Sequence, residues 1–372
     1  MASKPIIVAG GAGYIGSHFC HLAAERGFSP VIVDGIGPCT ERVATYRRSA
    51  GTRFQLEVCD IGDEERVGRL LSRHRPVAVV CFAALIDVAQ SIASPGLYWD
   101  HNYLRPMRFF RAVAASGVRH LVFSSTAAVY GSASGTATLA EDARLDPANP
   151  YGLTKLACEL MLQGATVCHG LAPDLRFDGP QVEWPPLPSC SRSLTGAFAG
   201  LSSLALRYFN AAGAHPAAGL GEVHDPETHL IPRTLAAALA SAGDAAALTI
   251  NGDDYPTADG TCVRDYVHVL DLAEAHVAGI EYLLDGGQSD AINLGSGAGY
   301  SIRQVVSTIE QVIGQPVATH IGPRRAGDAA SLVADIGKAR RMLGWQPSRD
   351  LSEIVASAAE FYRCYDVRGA AV

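Results

Sequence analysis

Pro5-Ile-Ile-Val-Ala-Gly-Gly-Ala-Gly-Tyr-Ile-Gly-Ser-His18 joins an apolar run to a helical one through a glycine-rich turn. A short apolar run, Pro5 to Ala9, leads into the glycines Gly10, Gly13 and Gly16, and a helical run opens near Tyr14. Strand, glycine turn and helix in that order bring backbone N–H groups to a helix N-terminus, where the dipole favours an anion. The glycines let a pyrophosphate approach that backbone. Asp34 closes the next apolar run, Pro30 to Asp34, and its carboxylate can accept bonds from both ribose hydroxyls of a dinucleotide. The same carboxylate repels a 2′-phosphate, and no Arg follows before Arg42, so NAD is expected rather than NADP.

Outward from the turn, short apolar runs alternate with helical ones, the pattern of a parallel sheet with crossover helices. Strands are expected near Pro5 to Ala9, Pro30 to Asp34, Phe54 to Val58, Val77 to Phe82, His120 to Ser124 and Leu201 to Tyr208. Helices are expected at Tyr14 to Arg26, Glu64 to Arg73 and Tyr98 to Ala115. This is a doubly wound α/β domain over 1–208, followed by a smaller α/β substrate domain over 209–372, with a segment near 264–280 packing back on the first. Gln163 to Gly200 carries Pro173, Pro180, Pro185, Pro186 and Pro188. Those prolines exclude a continuous helix or a central strand, so an extra surface loop is expected there.

With 372 residues, 48% of them hydrophobic, the chain can bury a large core. A formal charge of −7 without a run of Lys or Arg offers no footprint for nucleic acid or an anionic membrane, which leaves small-molecule chemistry. The nine cysteines are scattered, with no Cys-x-x-Cys pair, and are expected to be reduced. No metal is expected. The N-terminus enters a strand pattern too early for a signal peptide, and no segment offers the roughly 18 apolar residues of a membrane span, so a cytoplasmic location is expected.

Asn149-Pro-Tyr-Gly-Leu-Thr-Lys155 reads as a helix start, with Asn149 as N-cap and Pro150 as first residue. Tyr151 then lies in the first turn and Lys155 shares its face. A Tyr/Lys pair at this spacing is usually an ordinary surface pair. A phenol titrating near pH ~10 is a poor base at neutral pH, but an ammonium, a helix N-terminus and a nicotinamide cation all favour its anion. The companion segment Phe123-Ser-Ser-Thr-Ala-Ala-Val-Tyr-Gly131 ends a parallel strand where sheet ligands bind, and Thr126 supplies a hydroxyl between substrate and Tyr151.

Taken together, GGAGYIGSH, FSSTAAVYG, NPYGLTK, LRYFNAAGAHP, DDYPTADGTCVRDYVHVLDLAEAH, NLGSG and GPRRAGD resemble the UDP-glucose 4-epimerase (UDP-galactose 4-epimerase) family of extended short-chain dehydrogenases/reductases. The likeness runs from the first strand to about Trp345, interrupted by 163–200. It implies tightly bound NAD and reversible oxidation at C4 of a UDP-hexose. Tyr151 removes the hydroxyl proton, Thr126 assists, and Lys155 holds the nicotinamide ribose and lowers the tyrosine pKa. Cofactor contacts are implied for Gly10, Gly13, Tyr14, Ile15, Gly16, Asp34, Ser124, Tyr151, Lys155 and Phe209. Asp60 and Ile61 fall at the adenine, Phe82, Ala83 and Ala84 along the cofactor, and Asn102 near the pyrophosphate. Asn210, His229, Leu230, Arg264, Arg325, Asp328 and Leu332 correspond to substrate positions beside Thr126, where guanidinium forks suit a diphosphate. A homodimer through helices beside the catalytic one is also implied.

The chain departs from the pattern in several places. Ile86 replaces a common Lys near the nicotinamide ribose, the loop after Asp34 (Gly-Ile-Gly-Pro-Cys) lacks the usual Asn and Ser, and 163–200 lengthens the interval from Lys155 to Tyr208. Leu332 stands where a small residue admits N-acetylated sugars and a bulky aromatic does not. A 4,6-dehydratase needs an acid/base pair after the Ser-Thr, where this chain has Ala127 and Ala128. Epimerisation of UDP-arabinose/xylose, UDP-GlcNAc or UDP-glucuronate stays open, as does a non-catalytic NAD-binding regulator, since fold alone does not prove function.

Overall fold

Strands form where the β-branched and apolar runs are bounded by Gly, Asp or polar turns. In the computed structural model, which describes residues 4–35, 54–131, 138–163, 198, 200–224, 226–239, 247–325 and 328–364, they are β1 (Lys4–Ala9), β2 (Phe28–Asp34), β3 (Gln55–Val58), β4 (Ala78–Cys81), β5 (His120–Thr126), β6 (Ser202–Tyr208), β7 (Asn210–Ala212), β8 (Leu248–Asn251), β9 (Val263–Arg264), β10 (Tyr266–His268), β11 (Asp290–Leu294), β12 (Tyr300–Ser301), β13 (Thr319–Gly322) and β14 (Ser331–Leu332). Seven of them make one parallel sheet in the order β11-β6-β5-β4-β1-β2-β3. The winding reverses between β1 and β4, which opens the ligand crevice at their carboxyl ends.

Both faces of the sheet are covered, so successive residues of one strand enter different cores. Ile6 and Val8 of β1 join Phe19 and Ala23 of the helix Tyr14–Glu25 and Leu272 and Ala275 of the helix Val269–Leu284. Ile7 and Ala9 join the opposite core, with Leu70 of the helix Glu64–His74, Phe109 and Phe110 of the helix Arg105–Ala115, and Ala157 and Met161 of the helix Pro150–Leu162. The Val, Leu, Ile, Phe and Met side chains among them contribute about 1.5–3 kcal/mol each when fully buried, so these layers fix where the strand ends sit.

One sequence expectation changes. The helix expected over Tyr98 to Ala115 is broken into Pro95–Trp99, a π turn at Asp100–Leu104 and Arg105–Ala115. Pro106 is the reason: it has no N–H to donate to the Asn102 carbonyl one turn back, and that carbonyl accepts the Cys158 thiol at 3.2 Å instead. The helix Val269–Leu284 packs on the sheet, and β11 then pairs with β6 as a seventh strand, so part of 209–372 belongs to the sheet. A short helix, Val88–Ala93, capped by Asp87, also escaped the sequence reading.

The expected loop Gln163 to Gly200 falls almost wholly outside the described residues, as does most of the loop after Asp34. Among the described residues, six cysteines are free and no helix is long and apolar enough to cross a membrane.

Candidate active site

The crevice is built first by the glycine turn. Gly10 has φ +75°, and a Cβ there would lie 2.5 Å from the Ala83 backbone nitrogen, so both conformation and space demand glycine. The helix Tyr14–Glu25 that follows has no side-chain cap and no acid in its first turn, which leaves its N-terminus to an anion. Asp34 sits at the end of β2. Its Oδ2 accepts the Ala12 N–H at 3.0 Å and its Oδ1 the Gly35 N–H at 2.9 Å. Burial raises this carboxyl, and the two N–H bonds pull it back. Tyr14 ties the turn to the far side of the crevice, its phenol donating to the Gly213 carbonyl at 2.6 Å.

Phe82 and Ala83 leave β4 bonded to the Ala9 carbonyl, directly across from the turn. Asn102 does not offer its amide to this space. Its Oδ1 accepts the Leu85 N–H at 2.8 Å and its Nδ2 donates to the Leu85 carbonyl at 2.9 Å, so it shapes the loop that carries Phe82, Ala83 and Ala84. Asp60 and Ile61 follow β3, and Asp60 is paired with Arg105 at 2.7 Å.

On the other side of the crevice, Asn149 caps the helix Pro150–Leu162 by accepting the Gly152 N–H at 2.9 Å, as the sequence predicted. A Cβ on Gly152 would stand 2.6 Å from the Ala128 carbonyl oxygen. Only glycine therefore lets this helix lie against the 3₁₀ turn Ala127–Tyr130 that ends the β5 segment. That approach places the Tyr151 phenol in hydrogen bond with the Thr126 side chain. Burial raises the phenol above its ordinary value, and the Thr126 bond lowers it. One turn on, the buried Lys155 ammonium donates to the Ser124 carbonyl at 2.8 Å and lies over the Phe123 ring. Burial also lowers the Lys155 pKa.

Ser124 is engaged in turn by Tyr208, whose phenol donates to His276 Nε2, while His276 Nδ1 donates to the Leu272 carbonyl at 2.7 Å. Beneath the next residue lies a network the sequence reading missed. Ser125 donates to Glu159, and Arg207 forks onto Glu159 at 2.7 and 3.1 Å and onto the Tyr130 phenol at 2.8 Å, which itself donates to Asn293 at 2.7 Å. Glu159 and Arg207 are 1% and 3% exposed, so each charge depends on the other. The signal was an Arg in the middle of the apolar run Leu204 to Tyr208, which demands a buried partner.

The substrate positions divide. β9 and β14 set Arg264 opposite Leu332, and Arg264 Nη2 lies 3.5 Å from Asp328 while its Nη1 donates to the Ala329 carbonyl at 2.8 Å. Leu332 packs into the apolar cluster of Ala127 and Phe209, beside the turn that ends the β5 segment. Asn210 bonds the Tyr266 phenol, and Arg325 is exposed. Leu230 opens the helix Leu230–Leu239. The His229 imidazole is instead turned to carboxylates, with Nδ1 2.9 Å from Glu222 and 3.4 Å from Glu227. Burial works against its protonation, but the bonds to Glu222 and Glu227 outweigh it and raise the imidazole to about 10. Buried Asp265, also missed, accepts N–H groups of Ser296, Gly297 and Ala334 and so holds the NLGSG turn.

Residues 6–173 match the profile described as NAD dependent epimerase/dehydratase family, and residues 198–358 that of GDP-mannose 4,6 dehydratase. The UDP-glucose 4-epimerase of Rhizobium meliloti (strain 1021) is 40% identical over 358 residues, 96% of this chain and 97% of the relative. The chain belongs to the UDP-glucose 4-epimerase family. The Lacticaseibacillus casei member is 38% identical over 354 residues, covering 95% of each chain. Two solved members superpose closely. That of Brucella ovis in complex with NAD has a TM-score of 0.80 at 38% identity, covering 96% of this chain and 97% of that one. That of Stenotrophomonas maltophila, with NAD and formylated UDP-arabinopyranose, has a TM-score of 0.81 at 36% identity, covering 97% and 98%. The dehydratase match begins at residue 198 and does not reach the turn after Thr126, where Ala127 and Ala128 carry no carboxylate.

Proposed function

We propose that the chain interconverts UDP-glucose and UDP-galactose by oxidising and re-reducing C4 of the UDP-hexose with bound NAD. The observation that carries this is the Tyr151 phenol hydrogen-bonded to Thr126 at the carboxyl end of β5, with Lys155 one turn behind it. NAD fits the residues present: a turn with no room for a side chain at Gly10, an uncapped helix N-terminus, and the Asp34 carboxylate at the end of β2. Gly13, Tyr14, Ile15, Gly16, Asp60, Ile61, Phe82, Ala83, Ala84, Ser124, Lys155 and Phe209 complete its bed, and Asn102 serves it by holding Leu85.

When bound, NAD supplies a reversible hydride acceptor at the sugar. Tyr151 takes the proton of the 4-hydroxyl, with Thr126 bridging the two oxygens, as the C4 hydride departs. The planar 4-keto sugar then presents its other face, and Tyr151 returns the proton as C4 is reduced. Burial holds the phenol up in the chain alone, so proton acceptance depends on positive charge from Lys155 and from the bound nicotinamide. Arg264, Arg325, Asp328, Asn210, Leu230 and Leu332 hold the UDP-sugar from the 209–372 half, against a cofactor half at 1–208.

We further infer a cytoplasmic homodimer. The free cysteines suit a reducing compartment. Four of the five large apolar side chains left exposed among the described residues, Ile86, Val88, Ile92 and Leu97, cluster beside the catalytic helix, which suits a second copy of the chain. The deciding experiment is incubation of purified protein with UDP-galactose and assay for UDP-glucose. Turnover that falls about 10³-fold in Tyr151→Phe supports the mechanism, and turnover unchanged by that substitution overturns it.

A further inference from the structure

Glu222, His224, Glu227 and His229 fall within one loop between β7 and the helix Leu230–Leu239, and no step of the epimerisation uses them as a group. One ligand atom from each lies within 4.8 Å of all the others. The four carboxylate–imidazole separations are closer still. His224 Nδ1 is 3.5 Å from both Glu222 Oε1 and Glu227 Oε2, and His229 Nδ1 is 2.9 Å from Glu222 Oε1 and 3.4 Å from Glu227 Oε1. A tetrahedral ion with metal–ligand bonds of about 2.1 Å sets its ligands about 3.4 Å apart. Three of the four gaps, at 3.4 and 3.5 Å, match that spacing, while the 2.9 Å gap from His229 to Glu222 is that of a hydrogen bond.

A second, independent observation points the same way. His224 Nδ1 and Glu227 Oε2 are buried atoms without a hydrogen-bond partner, and they face each other across this gap. A divalent ion satisfies both at once and balances the two carboxylates with the imidazoles neutral. Two imidazoles and two carboxylates make a mixed nitrogen and oxygen set, which selects a zinc-class ion over magnesium. Four protein ligands leave no open position, so such a site is structural. Its surroundings say what it would hold. Tyr362 of the C-terminal helix Leu351–Cys364 donates to the Glu222 carbonyl at 2.9 Å, and Leu230 follows the last ligand directly.

We propose that Glu222, His224, Glu227 and His229 form a structural site for one zinc-class divalent ion, which pins the 222–229 loop and thereby sets Leu230 at the start of its helix. The test uses the full chain stripped with a chelator and then titrated with Zn²⁺, with Mg²⁺ as control, followed by calorimetry and elemental analysis. Co²⁺ substitution reports the geometry through its visible absorption. The expected result is one equivalent of Zn²⁺, intense four-coordinate Co²⁺ bands, no Mg²⁺ uptake, and affinity reduced at least about tenfold in His224→Ala and in Glu227→Gln. Zinc uptake that survives unchanged in both variants overturns the proposal, because the thiols are the same in all three proteins. So does a wild-type chain that takes up no zinc and gives no Co²⁺ bands, a result that needs no variant to fold. None of these readouts depends on turnover, so the epimerase reading stands or falls separately.

Discussion

The two ends of the helix Pro150–Leu162 meet the same strand in opposite ways. In its first turn Tyr151 meets Thr126 through uncharged hydroxyls, at a site open to the crevice. Two turns later Glu159 meets Ser125 and Arg207 as a sealed charge pair. A group that must gain and lose a proton each cycle is left without a fixed ionic partner. A group that must never move is locked by one. One helix thus carries chemistry at its N-terminus and holds its own register on β5 and β6 further along. The strand repeats the contrast at neighbouring residues, since Arg207 faces Glu159 while Tyr208 faces His276 in a neutral relay.

The largest effect is expected at the sealed end. Glu159→Ala strands Arg207 in the core and should cost about 3–5 kcal/mol in denaturant unfolding, whereas Tyr151→Phe should cost about 1 kcal/mol and lose turnover instead. Equal destabilisation by the two would erase the contrast. Next comes pH. Burial depresses His18 and His276 to about 4, against an ordinary value near 6.5. The unfolded chain therefore takes up protons that the folded chain refuses. Stability is intact above pH ~6.5 and should fall by about 3 kcal/mol per histidine as pH drops towards 4, with the His276→Gln variant showing the shallower loss.

Gly152→Ala is expected to sit between these and the hydroxyls. The added methyl meets the Ala128 carbonyl, so the helix must lift, at a cost of about 1–3 kcal/mol together with lower kcat at little-changed KM. A Gly152→Ala protein with normal kcat would mean that the close approach does not position Tyr151. The smallest effect belongs to Thr126→Val, which keeps volume but removes the Tyr151 bond. About tenfold in kcat, with stability changed by about 1 kcal/mol, is the expected outcome in steady-state assays and melts.

How far the sequence could be read follows the same divide between local and distant causes. The glycine turn, the Asn149–Pro150 cap and the first six strands rest on signals a few residues apart, and each appears close to its expected place. The π turn was missed although Pro106 lay in plain view, because its consequence depends on Cys158 arriving to take the freed carbonyl. The strand β11 and the Glu159–Arg207 pair depend on register between segments far apart in the chain, which no local pattern encodes. The Glu222 to His229 cluster is a different failure. Its two histidines and two glutamates stand within eight residues, but their spacing matches no familiar metal motif and only the fold of the loop brings them together. Asn102 bonds Leu85 and His229 faces Glu222, contacts that the motifs carrying those residues do not spell out.

In this mechanism the C4 hydrogen leaves as hydride and returns to the same carbon while Tyr151 handles only the hydroxyl proton. Turnover of UDP-galactose in D₂O, followed by NMR or mass analysis of the UDP-glucose formed, tests it directly. Product without deuterium at C4 is the predicted result, and deuterium incorporated from solvent at C4 would contradict the account.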